Sequence, residues 1–246
     1  MRVAAISDVH GNLPALEAVL ADIDGRGVDL TLNLGDIVSG PLWPRETAEL
    51  LMTRALPTIA GNHERQLLDP DLAGMGCWDR FARTMLTGEQ VAWISALPPT
   101  LHVGGGIFMC HGTPANDLDY LLETVTPAGK RAATAAEAEA RLGANRFALL
   151  LCGHSHTSRQ LRLSDGSFVA NPGSVGLQAY RWDRPHPHET VNQSPAARYA
   201  IFEKKEGEWE GEPIVVEYPF ETAALKAEEQ GAADWAHALR TGRNLA

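Results

Sequence analysis

The sequence predicts an α/β fold, and three observations carry that expectation. Short apolar runs alternate with amphipathic stretches of helical period. Polar motifs rich in Asp, His and Gly stand directly after apolar runs, where an open α/β sheet places its ligands. The composition is that of a globular protein, with 44% hydrophobic and 21% charged residues over 246 positions. That length buries a core without staples and shows neither internal repeat nor linker, so one domain over 1–246 is expected, with a core over 1–219.

The elements follow in order. Residues 2–7 read as a buried strand. Pro14 then opens a helix whose Leu16, Val19, Leu20 and Ile23 share one face. Residues 29–34 form a second strand, 44–54 a second helix and 57–60 a short third strand. From 67 to 97 the pattern turns to helix with loops, and Thr87 and Gln90 have capping-box spacing. Residues 101–103 and 107–110, joined by three glycines, read as a hairpin. Thr134 and Glu137 repeat the capping-box spacing before a helix ending near Gly143. Residues 147–152, 199–203 and 214–218 are further strands, and a helix is expected over about 221–240. Residues 178–197, bearing Pro, His and Arg, read as a loop of about twenty residues, a length that tends to be functional.

Charge and cysteine usage narrow the function. Lys and Arg number 21 against 31 Asp and Glu, a net charge of −10, which disfavours a nucleic-acid groove or an anionic membrane surface. Cys77, Cys110 and Cys152 lack metal or redox spacing, and the last two lie in apolar runs, as buried thiols in a reducing compartment do. No apolar run approaches the roughly 20 residues of a membrane span. Asp8 interrupts the amino terminus too early for a signal-peptide core. A soluble, cytoplasmic protein is expected.

The chemistry-bearing residues fall in five motifs: Asp8-Val9-His10, Gly35-Asp36, Gly61-Asn62-His63-Glu64, His111-Gly112 and Gly153-His154-Ser155-His156. Extended backbone would point Asp8 and His10 the same way, so the two are expected to hold one ion. His154 and His156 share that spacing, although a bend would send them to different ions. The donors Asp8, His10, Asp36, Asn62, His111, His154 and His156 exceed one coordination sphere and suit two ions with a bridging carboxylate. Nitrogen and oxygen ligands without thiolate favour Mn, Fe, Zn, Co or Ni over Ca or Mg. His63 is left over as a proton donor. His102, His186, His188 and His237 are expected to face solvent. Trp43, Trp78, Tyr180 and Trp182 suit packing, or stacking on a base.

In this order the motifs resemble the calcineurin-like metallophosphoesterase superfamily. Asp8-Val9-His10-Gly11-Asn12, Gly35-Asp36-Ile37-Val38, His111-Gly112-Thr113-Pro114 and Asn171-Pro172-Gly173-Ser174-Val175-Gly176 are similar to its small prokaryotic branch. The resemblance covers about 1–176 and implies a four-layer αββα sandwich with mixed sheets and two divalent transition metals, Mn or Fe favoured. It implies that Asp8, His10, Asp36 and His156 hold the first metal. Asp36 would bridge to a second metal completed by Asn62, His111 and His154. His63 would protonate the leaving oxygen or steady the phosphate while a metal-bound water or hydroxide attacks phosphorus in line. Many larger relatives carry an Asp where this chain has Ser39, which leaves the carboxylate supporting His63 unassigned, with Glu64 one option. Many small relatives continue their Asn-Pro-Gly-Ser segment with Pro-Arg, where this chain has Leu177-Gln178.

The expected function is hydrolysis of a small phosphodiester or phosphomonoester, with a nucleotide-type substrate favoured by the acidity and the aromatic loop. A scaffold of the kind known from a retromer subunit, or a DNA-repair nuclease, are the alternatives. The first predicts gaps in the ligand set and the second a basic groove, and the sequence carries neither. The 178–197 loop is expected to act as a substrate-selecting lid that contributes little to metal binding.

Overall fold

Strand β1 (Arg2–Ile6) has no polar side chain after Arg2 and is buried on both faces, as a central strand requires. Asn12 caps helix α1 (Leu13–Asp24) by accepting from the Ala15 amide, and Ala15, Leu16, Val19, Leu20 and Ile23 form its buried stripe. The chain returns through β2 (Leu30–Asn33), which pairs parallel to β1. Helix α2 (Pro44–Arg54) and three short helices follow: α3 (Asn62–Leu67), α4 (Cys77–Met85) and α5 (Gly88–Ser95). Both expected capping boxes are present, on α5 and on α6 (Ala135–Leu142). This computed structural model describes residues 1–71 and 74–246.

Two mixed sheets stack face to face. The first has the order β13 (Glu208–Val216), β12 (Ala197–Lys205), β1, β2. The second joins β3 (Thr100–Val103), β4 (Ile107–Cys110), β7 (Leu149–Leu151), β9 (Phe168–Asn171) and β8 (Arg159–Arg162) in that order. Two small hairpins lie outside the sheets, β5 (Glu123–Thr126) with β6 (Gly129–Ala132), and β10 (Ala179–Trp182) with β11 (His188–Val191).

Alternation along the strands builds four layers. Val3, Ala5, Leu32 and Leu34 meet Ile107, Met109, Leu149 and Leu151 between the sheets. The opposite faces of β1 and β12, through Ala4, Ile6, Tyr199 and Ile201, pack on α1, α2, and the C-terminal helices α7 (Phe220–Glu229) and α8 (Ala233–Thr241). Phe108, Leu150 and Val169 cover the other side of the second sheet and pack on Ala138 and Leu142 of α6. The chain is therefore an αββα sandwich, with a single helix in its thinner outer layer. Because β1 runs parallel to β2 and β4 parallel to β7, the motif loops leave the carboxyl ends of their strands.

Several elements depart from the sequence reading. The strand expected over 57–60 is one parallel bridge between Asn33 and Thr58. The helix expected over 221–240 is two helices, interrupted where Gly231 takes a φ of +75°. The last strand begins at Glu208, not 214, and pairs along its whole length with β12. Residues 178–197 are no open loop: β10 and β11 form an antiparallel hairpin there. His188 is buried within it, against expectation, and its Nε2 lies 3.0 Å from the Tyr120 hydroxyl.

Candidate metal centre

The loop after β1 zips onto the loop after β2. Asp8 N donates to Gly35 O, His10 N to Asp36 O and Gly11 N to Ile37 O, at 2.9–3.0 Å. These bonds hold Asp8, His10 and Asp36 at φ of +56°, +51° and +55°, and His154 and His156 stand at +66° and +56°. Asp8 and His10 thus converge through left-handed backbone, where extended backbone was expected. Such conformations cost on the order of 1 kcal/mol or more for a residue with a side chain, and they persist where the surroundings over-determine them.

Close approach does the rest. A Cβ on Gly61 would stand 2.3 Å from Asp36 Oδ1, and one on Gly176 would stand 1.8 Å from Val9 O. Glycine is therefore the residue that lets the α3 loop and the Asn-Pro-Gly-Ser segment press against the ligand loops.

Four of the five motifs scattered in sequence now meet in two groups. Asp8, His10 and His156 present ligand atoms within 4.8 Å of one another, and so do Asp36, His111 and His154. His154 and His156 go to different groups. Asp36 Oδ2 lies 3.1 Å from His111 Nε2 and 4.0 Å from His10 Nε2, so its carboxylate reaches both groups. Asn62 is buried at the start of α3, and its Oδ1 has no hydrogen-bond partner among the described residues. Asp8 Oδ2 and His111 Nε2 are orphaned in the same way.

Hydrogen bonds to carbonyls fix the histidine tautomers. A carbonyl only accepts, so the ring nitrogen facing it carries the proton and the other nitrogen presents a lone pair. His10 Nδ1 donates to Ser39 O, His111 Nδ1 to Leu34 O and His156 Nδ1 to Leu177 O. His154 is reversed, with Nε2 donating to Leu118 O. Burial holds His10 near 4 and His154 near 3, and pushes His156 well below the usual imidazole range, so all three stay neutral. Burial of His111 is instead outweighed by Asp36, which raises it to about 10, so that its Nε2 holds a proton against that carboxylate until a cation displaces it. The Nε2 atoms of His10 and His156 face each other at 3.1 Å with no proton to share. Two opposed lone pairs at that distance call for a cation between them. Burial also raises the Asp8 carboxyl to about 7, a penalty a bound cation removes. Buried, outward-braced imidazoles with inward lone pairs and carboxylates fit divalent transition metals.

The carboxylate beside His63 comes from an unexpected place. His63 Nδ1 lies 2.7 Å from Asp79 Oδ1, and Ser39 Oγ donates to the same oxygen at 2.6 Å. Glu64 is engaged elsewhere, since its carboxylate accepts from the amides of Asp36, Ile37 and Gly61. Burial opposes a charge on His63, but Asp36 and Asp79 outweigh it and raise the imidazole to about 9. Asp79 lies on α4, and no spacing in the sequence ties it to His63.

The surrounding side chains brace the histidines. The Tyr180 ring lies 4.7 Å from that of His156 and its hydroxyl donates to His154 O. Asn192 Nδ2 donates to His156 O, and Thr190 Oγ1 to Ser155 O. Both candidate groups open into one cavity of about 1280 Å³, which His63 also lines. Of the aromatic residues singled out, Trp78, Tyr180 and Trp182 line it, whereas Trp43 packs on the core beside α2.

The profile of the calcineurin-like phosphoesterases matches residues 1–158. The chain belongs to that family. This calcineurin-like chain is 28% identical to a metallophosphoesterase from Sphaerobacter thermophilus, whose structure it matches with a TM-score of 0.74 over 98% of its own length and 99% of the other's. Hypothetical protein PH1004 from Pyrococcus horikoshii OT3, at 20% identity, shares the fold with a TM-score of 0.79 over 99% of each chain. The uncharacterized protein MJ0912 of Methanocaldococcus jannaschii is 26% identical over 95% of this phosphoesterase-family chain and 94% of its own. No helix among the described residues is long and apolar enough to cross a membrane.

Proposed function

We propose that the protein is a two-metal phosphoesterase that hydrolyses small phosphodiesters or phosphomonoesters. The observation that carries this reading is the pair of unprotonated nitrogens, His10 Nε2 and His156 Nε2, held 3.1 Å apart beside two buried carboxylates. Asp8, His10, Asp36 and His156 would hold the first metal, and Asp36 with Asn62, His111 and His154 would hold the second. The donor set suits a divalent transition metal, and the family resemblance favours Mn or Fe among them. Two such cations, when bound, supply an activated water and neutralise charge at phosphorus.

The chain's own residues do the remaining work. His63 Nδ1 is engaged by Asp79, so Nε2 is the atom free to give a proton to the leaving oxygen. Ser39 and Asp79 keep that ring turned toward the cavity. The complete ligand set argues against a scaffold that has lost its chemistry.

Metal analysis followed by a panel of phosphomonoesters, phosphodiesters and dinucleoside polyphosphates tests the reading. We expect two metals per chain and metal-dependent release from at least one ester class. Full activity with one metal per chain, or no hydrolysis with any divalent metal, overturns it.

A further inference from the structure

The cavity is much larger than a phosphate requires. Ligand pockets commonly measure roughly 300–1,000 Å³, and this one reaches about 1280 Å³. Its walls are aromatic on the side of the first metal group: the Trp235 ring lies 6.0 Å from His10 and 6.4 Å from Trp78. On the side of the second group, Leu118 presents its carbonyl to His154 while its side chain is 46% exposed. Apolar surface thus flanks the metal centre on both sides, which suits a phosphate carrying two organic groups.

The rim adds a second observation. Trp182 and Leu245 are 54% and 45% exposed, and with Leu118 they line the same cavity. Trp182 extends from β10, whose Tyr180 is anchored on the metal-site histidines, so the exposed indole is carried on a braced strand. Two residues on, Arg184 lines the cavity and carries no ion pair among the described residues. Large apolar side chains left in water at the rim of a polar site lower the free energy when a ligand covers them.

We propose that the substrate is a nucleoside phosphodiester whose retained nucleoside stacks its base on Trp182, in the cavity that Arg184 also lines. The proposal rests on the phosphoesterase reading and names the substrate class for that site. Indole and guanidinium faces recognise a flat heterocycle, and stacking of a base on an aromatic side chain contributes about 1–3 kcal/mol. A lipid tail would call for a continuous aliphatic lining, whereas the rim sets an exposed indole and a guanidinium alongside Leu118 and Leu245.

The test compares thymidine 5′-(4-nitrophenyl phosphate) with methyl 4-nitrophenyl phosphate and octyl 4-nitrophenyl phosphate on the metal-loaded protein. In each, a water oxygen bonds to phosphorus, the phosphorus–phenolate bond breaks, 4-nitrophenolate leaves and a proton is released, so only the retained group differs. The wild type is expected to favour the thymidine ester over the methyl ester by tenfold or more in kcat/KM. Trp182→Ala should cut that preference about tenfold, mainly through KM, and Trp182→Phe should keep most of it. Equal rates on the thymidine and methyl esters, an unchanged preference in Trp182→Ala, or faster cleavage of the octyl ester overturns the nucleoside subsite. If no ester is cleaved at all, the phosphoesterase reading fails, and calorimetric titration with thymidine 5′-monophosphate and methyl phosphate still decides the subsite. Tighter binding of the nucleotide, lost in Trp182→Ala, supports it; equal binding of both overturns it.

Discussion

Asp79 sits sixteen residues beyond His63 on another helix, yet the two share a 2.7 Å contact to which Ser39 contributes. Replacing Asp79 by Asn keeps the shape and removes the charge that favours the protonated ring. We expect Asp79→Asn to lower turnover on esters with poor leaving groups by roughly tenfold to a hundredfold, with metal content at wild-type level. The loss should shrink for 4-nitrophenyl esters, which need little proton donation; a leaving-group series with metal analysis checks both. His63→Ala should cost about 10²–10⁴-fold under the same conditions, and metal lost along with activity would place His63 among the ligands. Asp36→Asn should empty both metal groups together, read by elemental analysis, because a neutral amide bridges two cations poorly. At this scale the six residues that the structure draws into two groups, Asp8, His10, Asp36, His111, His154 and His156, were legible, since each follows an apolar run within a short motif. Asp79 was not, because a contact between α3 and α4 leaves no periodic trace. The route by which Asp8 and His10 converge was also hidden: left-handed backbone at a non-glycine residue is a tertiary outcome.

The hairpin of β10 and β11 was missed for a related reason. Its inner half alternates buried and exposed residues from His188 to Val191, but Pro185 and Pro187 at the turn made the segment read as loop. Its base bonds directly to the backbone of His154, Ser155 and His156. Exchanging 178–197 for a short Gly-Ser connection should therefore reduce metal content and lower the melting temperature, contrary to the lid expected from sequence. Trimming only 183–187 should leave metal content intact, and elemental analysis of both variants separates the two roles. The break between α7 and α8 was equally hidden, because an Ala-rich stretch keeps helical period through Gly231. Strongly patterned elements such as α1, and the capped α5 and α6, emerged as the sequence implied.

Across the whole molecule, the two sheets meet through Val3, Leu32, Met109 and Leu151, and their carboxyl ends deliver the ligand loops to one edge. Several of those loops hold like-charged or lone-pair atoms together against repulsion. Chelation should accordingly lower the melting temperature, by an amount that grows with the logarithm of metal affinity, through mass action on the native state alone. Scanning calorimetry with and without chelator checks this, and restored metal should return the transition. The sheet order was beyond reach of the sequence, since it depends on which distant strand fills the free edge of β1. That edge is filled by β12, with Arg2 opposite Glu203. A chain leaving the ribosome therefore exposes the backbone of β1, unpaired on one side, until β12 has emerged. Such long-range pairing closes slowly, and an open apolar edge invites other strands meanwhile. Biosynthesis, more than the finished fold, is where this molecule is exposed to mispairing: a ribosome stalled before β12 holds a chain that cannot yet complete the sheet around β1.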